Sequence, residues 1–105
     1  MQTAVDGRPD ERRNDEVWID DDGLLRNGRA WVALPDVEWR LMKPLVEHLG
    51  SLVRRDELTA AGWPDRAVPA SALNVRIKKA RKRLAPLGLQ ITTVRGRGYV
   101  LAAGA

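Results

Sequence analysis

Six cations fall within eight residues, Arg76, Lys78, Lys79, Arg81, Lys82 and Arg83, and two more, Arg95 and Arg97, follow on either side of Gly96. Residues 66–105 carry nine Lys/Arg and no acid, a net +9, while residues 1–65 carry nine against fourteen Asp/Glu, a net −5; together they give the +4 of the whole chain. Forty residues of unrelieved positive charge repel one another unless a polyanion meets them. The chemistry on offer is therefore electrostatic capture, and the commonest polyanion in a cytoplasm is nucleic acid. Covalent chemistry has little to work with. There is no cysteine and one histidine, His48, which excludes disulfides, thiolate metal sites and most histidine-base mechanisms. Ser51 and Ser71 are the only serines, and no second histidine is available to activate either. The inventory predicts neither an enzyme nor a bound metal or cofactor.

The elements that must position these cations can be read from spacing. At 105 residues, 44% hydrophobic and 30% charged, the chain has the makings of one small domain with one core. Residues 1–16 are polar and mixed in charge, with Ala4 and Val5 as isolated apolar residues, and are expected to be a flexible tail; the domain proper spans 17–102. The start lacks a basic, apolar export signal, and no run approaches the length of a membrane span, so a cytoplasmic protein is expected. Val17-Trp18-Ile19 and Leu24-Leu25-Arg26 are short β-type pieces around the turn Asp21-Asp22-Gly23. Asn27-Gly28 is a strong hairpin signal, with both residues placed at the centres of a type I′ turn, and residues 29–34 return as a strand. The N-terminal third is thus a small antiparallel sheet.

Asp36 is placed to cap the following helix, in which Trp39, Met42, Leu45, Val46 and Leu49 form an apolar stripe and Pro44 should kink or open a turn. Gly50-Ser51 ends it, Leu52-Val53 is extended, and residues 56–62 form a short second helix with Leu58 and Ala61 inward. After Trp63-Pro64-Asp65 and an irregular loop comes a helix over 70–85. Leu73, Ile77, Ala80 and Leu84 make its narrow core stripe, and the opposite face carries Ser71, Val75, Lys78, Lys79 and Lys82, flanked by Arg76, Arg81 and Arg83. Residues 89–94 and 99–101 are strands around the tight basic turn Arg95-Gly96-Arg97-Gly98. A short helix, a turn and a cationic helix make a helix-turn-helix, and the hairpin behind it makes a wing. B-DNA admits such a helix in its major groove and an arginine in its minor groove. Val75, apolar among lysines, is either an isolated surface residue or a partner for a thymine methyl.

Thr92-Thr93-Val94-Arg95-Gly96-Arg97-Gly98-Tyr99 with Leu101, the helix Val75-Arg76-Ile77-Lys78-Lys79-Ala80-Arg81-Lys82-Arg83-Leu84, and before them Glu38-Trp39 and Arg55-Asp56-Glu57-Leu58 through Trp63 resemble the OmpR/PhoB-type winged helix-turn-helix domain of bacterial response regulators, over residues 17–102. The resemblance implies an α+β fold with a four-stranded N-terminal sheet, of which three strands are legible, a three-helix core and a C-terminal β-hairpin wing. It implies sequence-selective binding of double-stranded DNA. Ser71, Asn74, Val75, Arg76, Lys78, Lys79 and Arg81 match recognition-helix contacts, Arg95 matches a minor-groove arginine, and Thr93, Arg55 and Trp63 match phosphate contacts. Lys82 and Arg97 join them as exposed cations of the same helix and wing. Trp39, Leu41, Leu45, Leu58, Ile77, Leu84 and Tyr99 are assigned to the core. Gly96 and Gly98 are expected to free the turn and allow close approach to the sugar-phosphate chain.

The chain departs from the family in several places. Ala80 stands where leucine is usual, Lys78 and Lys79 stand where arginine is usual, and the loop 64–70 is about one residue short. That loop touches RNA polymerase in the family. Residues 1–16 cannot hold a receiver domain or its phosphorylatable aspartate, so the domain is expected to act without its own receiver and to pair head to tail on direct repeats. Two other readings stand beside this one: a winged helix that docks on RNA polymerase or another protein, and an architectural protein that bends DNA with little sequence preference.

Overall fold

The computed structural model describes residues 16–104; the tail expected over 1–16 lies, apart from Glu16, outside the described residues. Strands β1 (Val17–Ile19), β2 (Leu24–Asn27) and β3 (Ala30–Ala33) form an antiparallel sheet in that order. Strict alternation sends Val17 and Leu25 into the core, with Ile19 and Val32 packed against it. Trp18, Arg26 and Trp31 align in one row on the other face, where the Arg26 guanidinium lies 5.1 Å from the centre of the Trp18 ring. Asp20 organises the first turn. Its Oδ1 accepts from the amides of Leu24 and Asp22, and the Leu24 bond above all, with Arg26 nearby, holds its carboxyl below the usual range. The second turn is centred one residue later than expected, on Gly28 and Arg29, with Asn27 still in the ladder opposite Ala30. Gly28 supplies the positive φ, 62°, while the Asn27 side chain is held elsewhere: its Nδ2 donates to the Leu87 carbonyl at 2.6 Å.

Helix α1 (Asp36–Glu47) begins differently from expectation. Pro35 is the N-cap, in extended conformation, and no side chain caps the helix. Asp36 is the first helical residue; its carboxylate stands in solvent, 3.6 Å from Arg40 Nη1, and still complements the positive end of the helix dipole. The helix also runs unbroken through Pro44. Only the carbonyl of Arg40 forfeits a donor to the proline, three residues before the helix ends, and burial of Leu41, Met42 and Leu45 holds the turn together. Leu49 falls past the end of the helix, and Trp39 sits at the edge of the core with its indole N–H donating to the Asp20 carbonyl at 2.7 Å.

Strand β4 (Leu52–Arg54) leads directly into α2 (Arg55–Gly62), and α3 (Ala70–Leu84) follows the loop. Residues Ala85–Leu87 tighten into a 3-10 turn, and strands β5 (Leu89–Val94) and β6 (Gly98–Ala103) make the hairpin. The second sheet runs β4-β6-β5, all antiparallel, so β4 ties the start of α2 to the hairpin. The α+β architecture is the one the sequence implies, with three strands of the N-terminal sheet among the described residues. The core joins both sheets and all three helices through Leu25, Leu41, Leu45, Leu58, Leu73, Ile77, Leu84 and Leu101, each essentially inaccessible. No helix among the described residues is long and apolar enough to cross a membrane.

Gly98 has a role other than the one expected of it. Its φ is unremarkable among the glycines, but a Cβ placed on it would fall on the Val53 carbonyl and within 2.9 Å of Arg54 Cα. The close approach that needs glycine is therefore to β4, within the protein. Gly98→Ala should push β6 from β4 and cost about 1–3 kcal/mol or more, read as a lower urea midpoint at unchanged slope.

Candidate nucleic-acid interface

The four-residue core stripe of α3 decides which of its side chains face out. Leu73, Ile77, Ala80 and Leu84 are buried, and Ser71, Asn74, Val75, Lys78, Lys79 and Lys82 are exposed as the helical period requires. Val75 is 49% exposed in the middle of this face. The smaller Ala80 is fully buried all the same. Lys78, Lys79 and Lys82 have no ion-pair partner among the described residues.

The arginines of the helix behave otherwise. Glu38 of α1 is wholly inaccessible and lies beneath α3. Its Oε1 accepts from Arg83 Nε at 2.6 Å, and its Oε2 stands 3.7 Å from Arg76 Nη1. Arg76, a predicted DNA contact, is thus half-buried and partly neutralised from below. Arg81, also predicted to touch DNA, crosses to the hairpin instead. Its Nε donates to the Ile91 carbonyl at 2.9 Å and its Nη2 to Thr93 Oγ1 at 2.7 Å, so two predicted contact residues hold each other. These bonds fix the wing against the recognition helix.

The far end of the wing is fixed as well. Arg95, Gly96 and Arg97 form the loop between Val94 and Gly98; Gly96 turns at a φ of 73° and the Arg97 amide donates to the Val94 carbonyl. The Arg55 amide donates to the Arg97 carbonyl at 3.1 Å, pinning the loop to the first residue of α2. Arg95 and Arg97 project, exposed, from this anchored tip. Arg97 also lines a cleft with Arg54, Arg55, Asp56 and Gly96. Arg55 sits deeper: its Nη1 donates to Tyr99 Oη at 2.9 Å and Asn74 Oδ1 at 3.1 Å, and its Nη2 to the Ala70 carbonyl at 3.4 Å. Trp63, the remaining predicted contact, is 9% exposed and part of the core, and beside it Arg66, Ser71, Val75 and Arg76 line a shallow groove between the loop and α3. Its ring packs in the core.

Apart from Trp63, which packs in the core, the predicted residues lie on α3, the hairpin and the start of α2, which are bonded to one another, and fall into two sorts. The side chains of Ser71, Val75, Lys78, Lys79, Lys82, Arg95 and Arg97 have no hydrogen-bond or ion-pair partner among the described residues, whereas those of Arg55, Asn74, Arg76, Arg81 and Thr93 are hydrogen-bonded or ion-paired within the protein. Sequence reasoning missed Glu38 and Arg54. The signal for Glu38 was available: it sits three and four residues before Leu41 and Met42, on the apolar side of α1. Glu38→Gln keeps its shape and removes its charge, and should cost about 1–3 kcal/mol in urea unfolding, since the arginines, some 40% exposed, can turn to water while the amide stays buried.

Comparison with known proteins adds an independent line. Residues 28–101 match the family model described as transcriptional regulatory protein, C terminal. The chain is 35% identical over 80 residues to the sensory transduction protein BceR of Bacillus subtilis (strain 168), an alignment that covers 73% of this chain and 35% of that protein. This chain thus spans about a third of the length of the curated relative. Among solved structures, it resembles the C-terminal domain of NsrR, a lantibiotic response regulator for nisin resistance, with a TM-score of 0.70 and 31% identity over 82% of this chain and 90% of that one. It also resembles the Klebsiella pneumoniae RstA DNA-binding domain in complex with the RstA box, with a TM-score of 0.65 and 26% identity over 83% and 91% of the two chains.

Proposed function

The chain belongs to the family of transcriptional regulatory protein C-terminal domains, of OmpR/PhoB type, and we propose that it binds double-stranded DNA sequence-selectively for a bacterial transcription regulator. The observation that carries this reading is the outer face of α3: three lysines with no ion-pair partner among the described residues and an exposed valine, on a helix whose other side is locked into the core. A helix so built enters a major groove, with Val75 against a thymine methyl and the lysines against phosphates and base acceptors. The tip of the wing then stands over the neighbouring minor groove, where a narrow A·T-rich segment attracts Arg95. The 26%-identical RstA domain in complex with its box supports the same use of the fold. Two copies on a direct repeat would double the contact surface, and contact of the 64–70 loop with RNA polymerase belongs to the same proposal. The family is one of regulators, and catalysis forms no part of the reading.

Selection of bound sequences from a random duplex library, followed by salt titration on the winner and on a scrambled duplex, tests the reading. A motif bound about a thousandfold more tightly than the scramble, with a log-log salt slope near −5 to −6 for each copy, is the expected result. Equal binding to both duplexes would indicate an architectural protein, and no binding a protein-docking module. Arg95→Ala should weaken binding by about 1–3 kcal/mol and flatten the A·T preference at one edge of the site, as a footprint and titration will record.

A further inference from the structure

Resting on the DNA-binding reading, we propose that Asn74 addresses DNA as a hydrogen-bond donor only, and that Arg55 and Tyr99 are positioning residues that hold it in that state. The directions of the bonds in this cluster are forced. A guanidinium has five N–H donors and no acceptor. Arg55 Nη1 therefore donates both to Tyr99 Oη and to Asn74 Oδ1, at 2.9 and 3.1 Å. The Tyr99 oxygen, having accepted from Arg55, turns its own proton to Asn74 Oδ1 at 3.0 Å. An atom that receives a guanidinium N–H and a phenolic O–H is the amide oxygen, and its two lone pairs are now both used. The amide nitrogen, whose two N–H groups have no partner among the described residues, is what Asn74 has left to offer.

Three elements hold the arrangement. Tyr99 is 3% exposed and paired in β6 between Val53 and Thr93. Arg55 opens α2 with its amide on the wing tip and its second nitrogen on the Ala70 carbonyl. Asn74 itself is exposed on α3, next to Val75. Its geometry is set before any ligand arrives.

An unconstrained asparagine selects adenine in a major groove, because it gives a proton to N7 and accepts one from N6. Asn74 cannot accept. A head with two donors matches guanine, which shows acceptors at both N7 and O6, and next thymine, with O4; adenine sets its N6 amino group against it and cytosine offers a donor alone. The preference of this position is therefore G, then T, then A, with C last, which reverses what the residue type suggests.

The experiment is base-by-base binding of the full 105-residue chain to the selected duplex. Asn74→Ala identifies the base pair that Asn74 meets, as the position whose preference it erases. At that position the unaltered protein should favour G, with C weaker by about tenfold or more. Tyr99→Phe, checked for folding by its melting curve, releases one lone pair and should raise A to within about threefold of G. Arg55→Leu releases the other without touching the centre of the core, and gives the same shift should Tyr99→Phe unfold. Adenine as the preferred base of the unaltered protein, no position that depends on Asn74, or an unmoved preference in both variants would each overturn the proposal while leaving DNA binding intact. Failure of the unaltered chain to hold any duplex would overturn it together with the function it rests on.

Discussion

Glu38 is a carboxylate with no access to water, and a charge taken out of water costs several kcal/mol unless partners replace what the solvent supplied. The partners are Arg83, which donates to Oε1, and Arg76, 3.7 Å from Oε2, both on one flank of α3. Much else follows from that set of one hydrogen bond and one ion pair. It fixes the rotation of α3 about its own axis, in register with Leu73, Ile77, Ala80 and Leu84, and so fixes which residues point away. It also draws two arginines inward and leaves three lysines outward, dividing one cationic helix into an anchored base and a free face. The lopsided charge of the sequence thus has a spatial meaning: the acidic half supplies the counter-charge beneath the basic half, and the opposite side of the helix keeps its surplus.

The wing is held by the same economy of contacts. Arg81 ties the middle of β5 to α3, the Arg55 amide ties the loop to α2, and Gly98 lets β6 lie against β4 without a side chain between them. Helix, wing and the start of α2 are consequently one rigid surface. Rigidity matters because each long side chain ordered on binding costs about 0.5–1.5 kcal/mol, and Arg55 and Arg81 are ordered already. Residues that resemble ligand contacts by position are here part of the frame that aims the others.

The helices, the hairpin and the core stripe of α3 were legible because each rests on local periodicity and on glycine or proline punctuation within a few residues. Most of the departures share a cause: the deciding contacts are tertiary. The turn between β2 and β3 slips by one residue because Asn27 is held by Leu87, sixty residues away. Gly98 looks like turn chemistry from its neighbours Gly96 and Arg97, but its need for glycine comes from Val53. Pro44 reads as a break in isolation and is carried by the burial around it. In the site, the exposed cations were identifiable from helical spacing, whereas the pairing of Arg76 with Glu38 and of Arg81 with Thr93 needs tertiary contacts that no spacing encodes. Asp36 failed as a cap for a local reason, since Pro35 in extended conformation already occupies that position and Asp36 enters the helix.

What the outer face of α3 can say to DNA is narrower than its residue list suggests. Lys78, Lys79 and Lys82 are point charges with donors and no acceptor, and a lysine discriminates among bases less sharply than the forked guanidinium it replaces. Asn74 brings no acceptor either, because Arg55 and Tyr99 have used it. Val75 asks for a methyl group. Apart from the Ser71 hydroxyl, the face offers hydrogen-bond donors and one apolar surface, which are complementary to the acceptors of guanine and thymine and to the methyl of thymine. Affinity and selectivity are accordingly carried by different residues. On the proposed reading the lysines and Arg97 set the strength of attachment in proportion to phosphates neutralised, on any sequence, while Arg95 adds a preference for a narrow A·T-rich minor groove. In that reading, selectivity in the major groove falls to the two adjacent residues Asn74 and Val75, whose neighbours on the helix are charged and, for Asn74, whose orientation is decided from inside the fold.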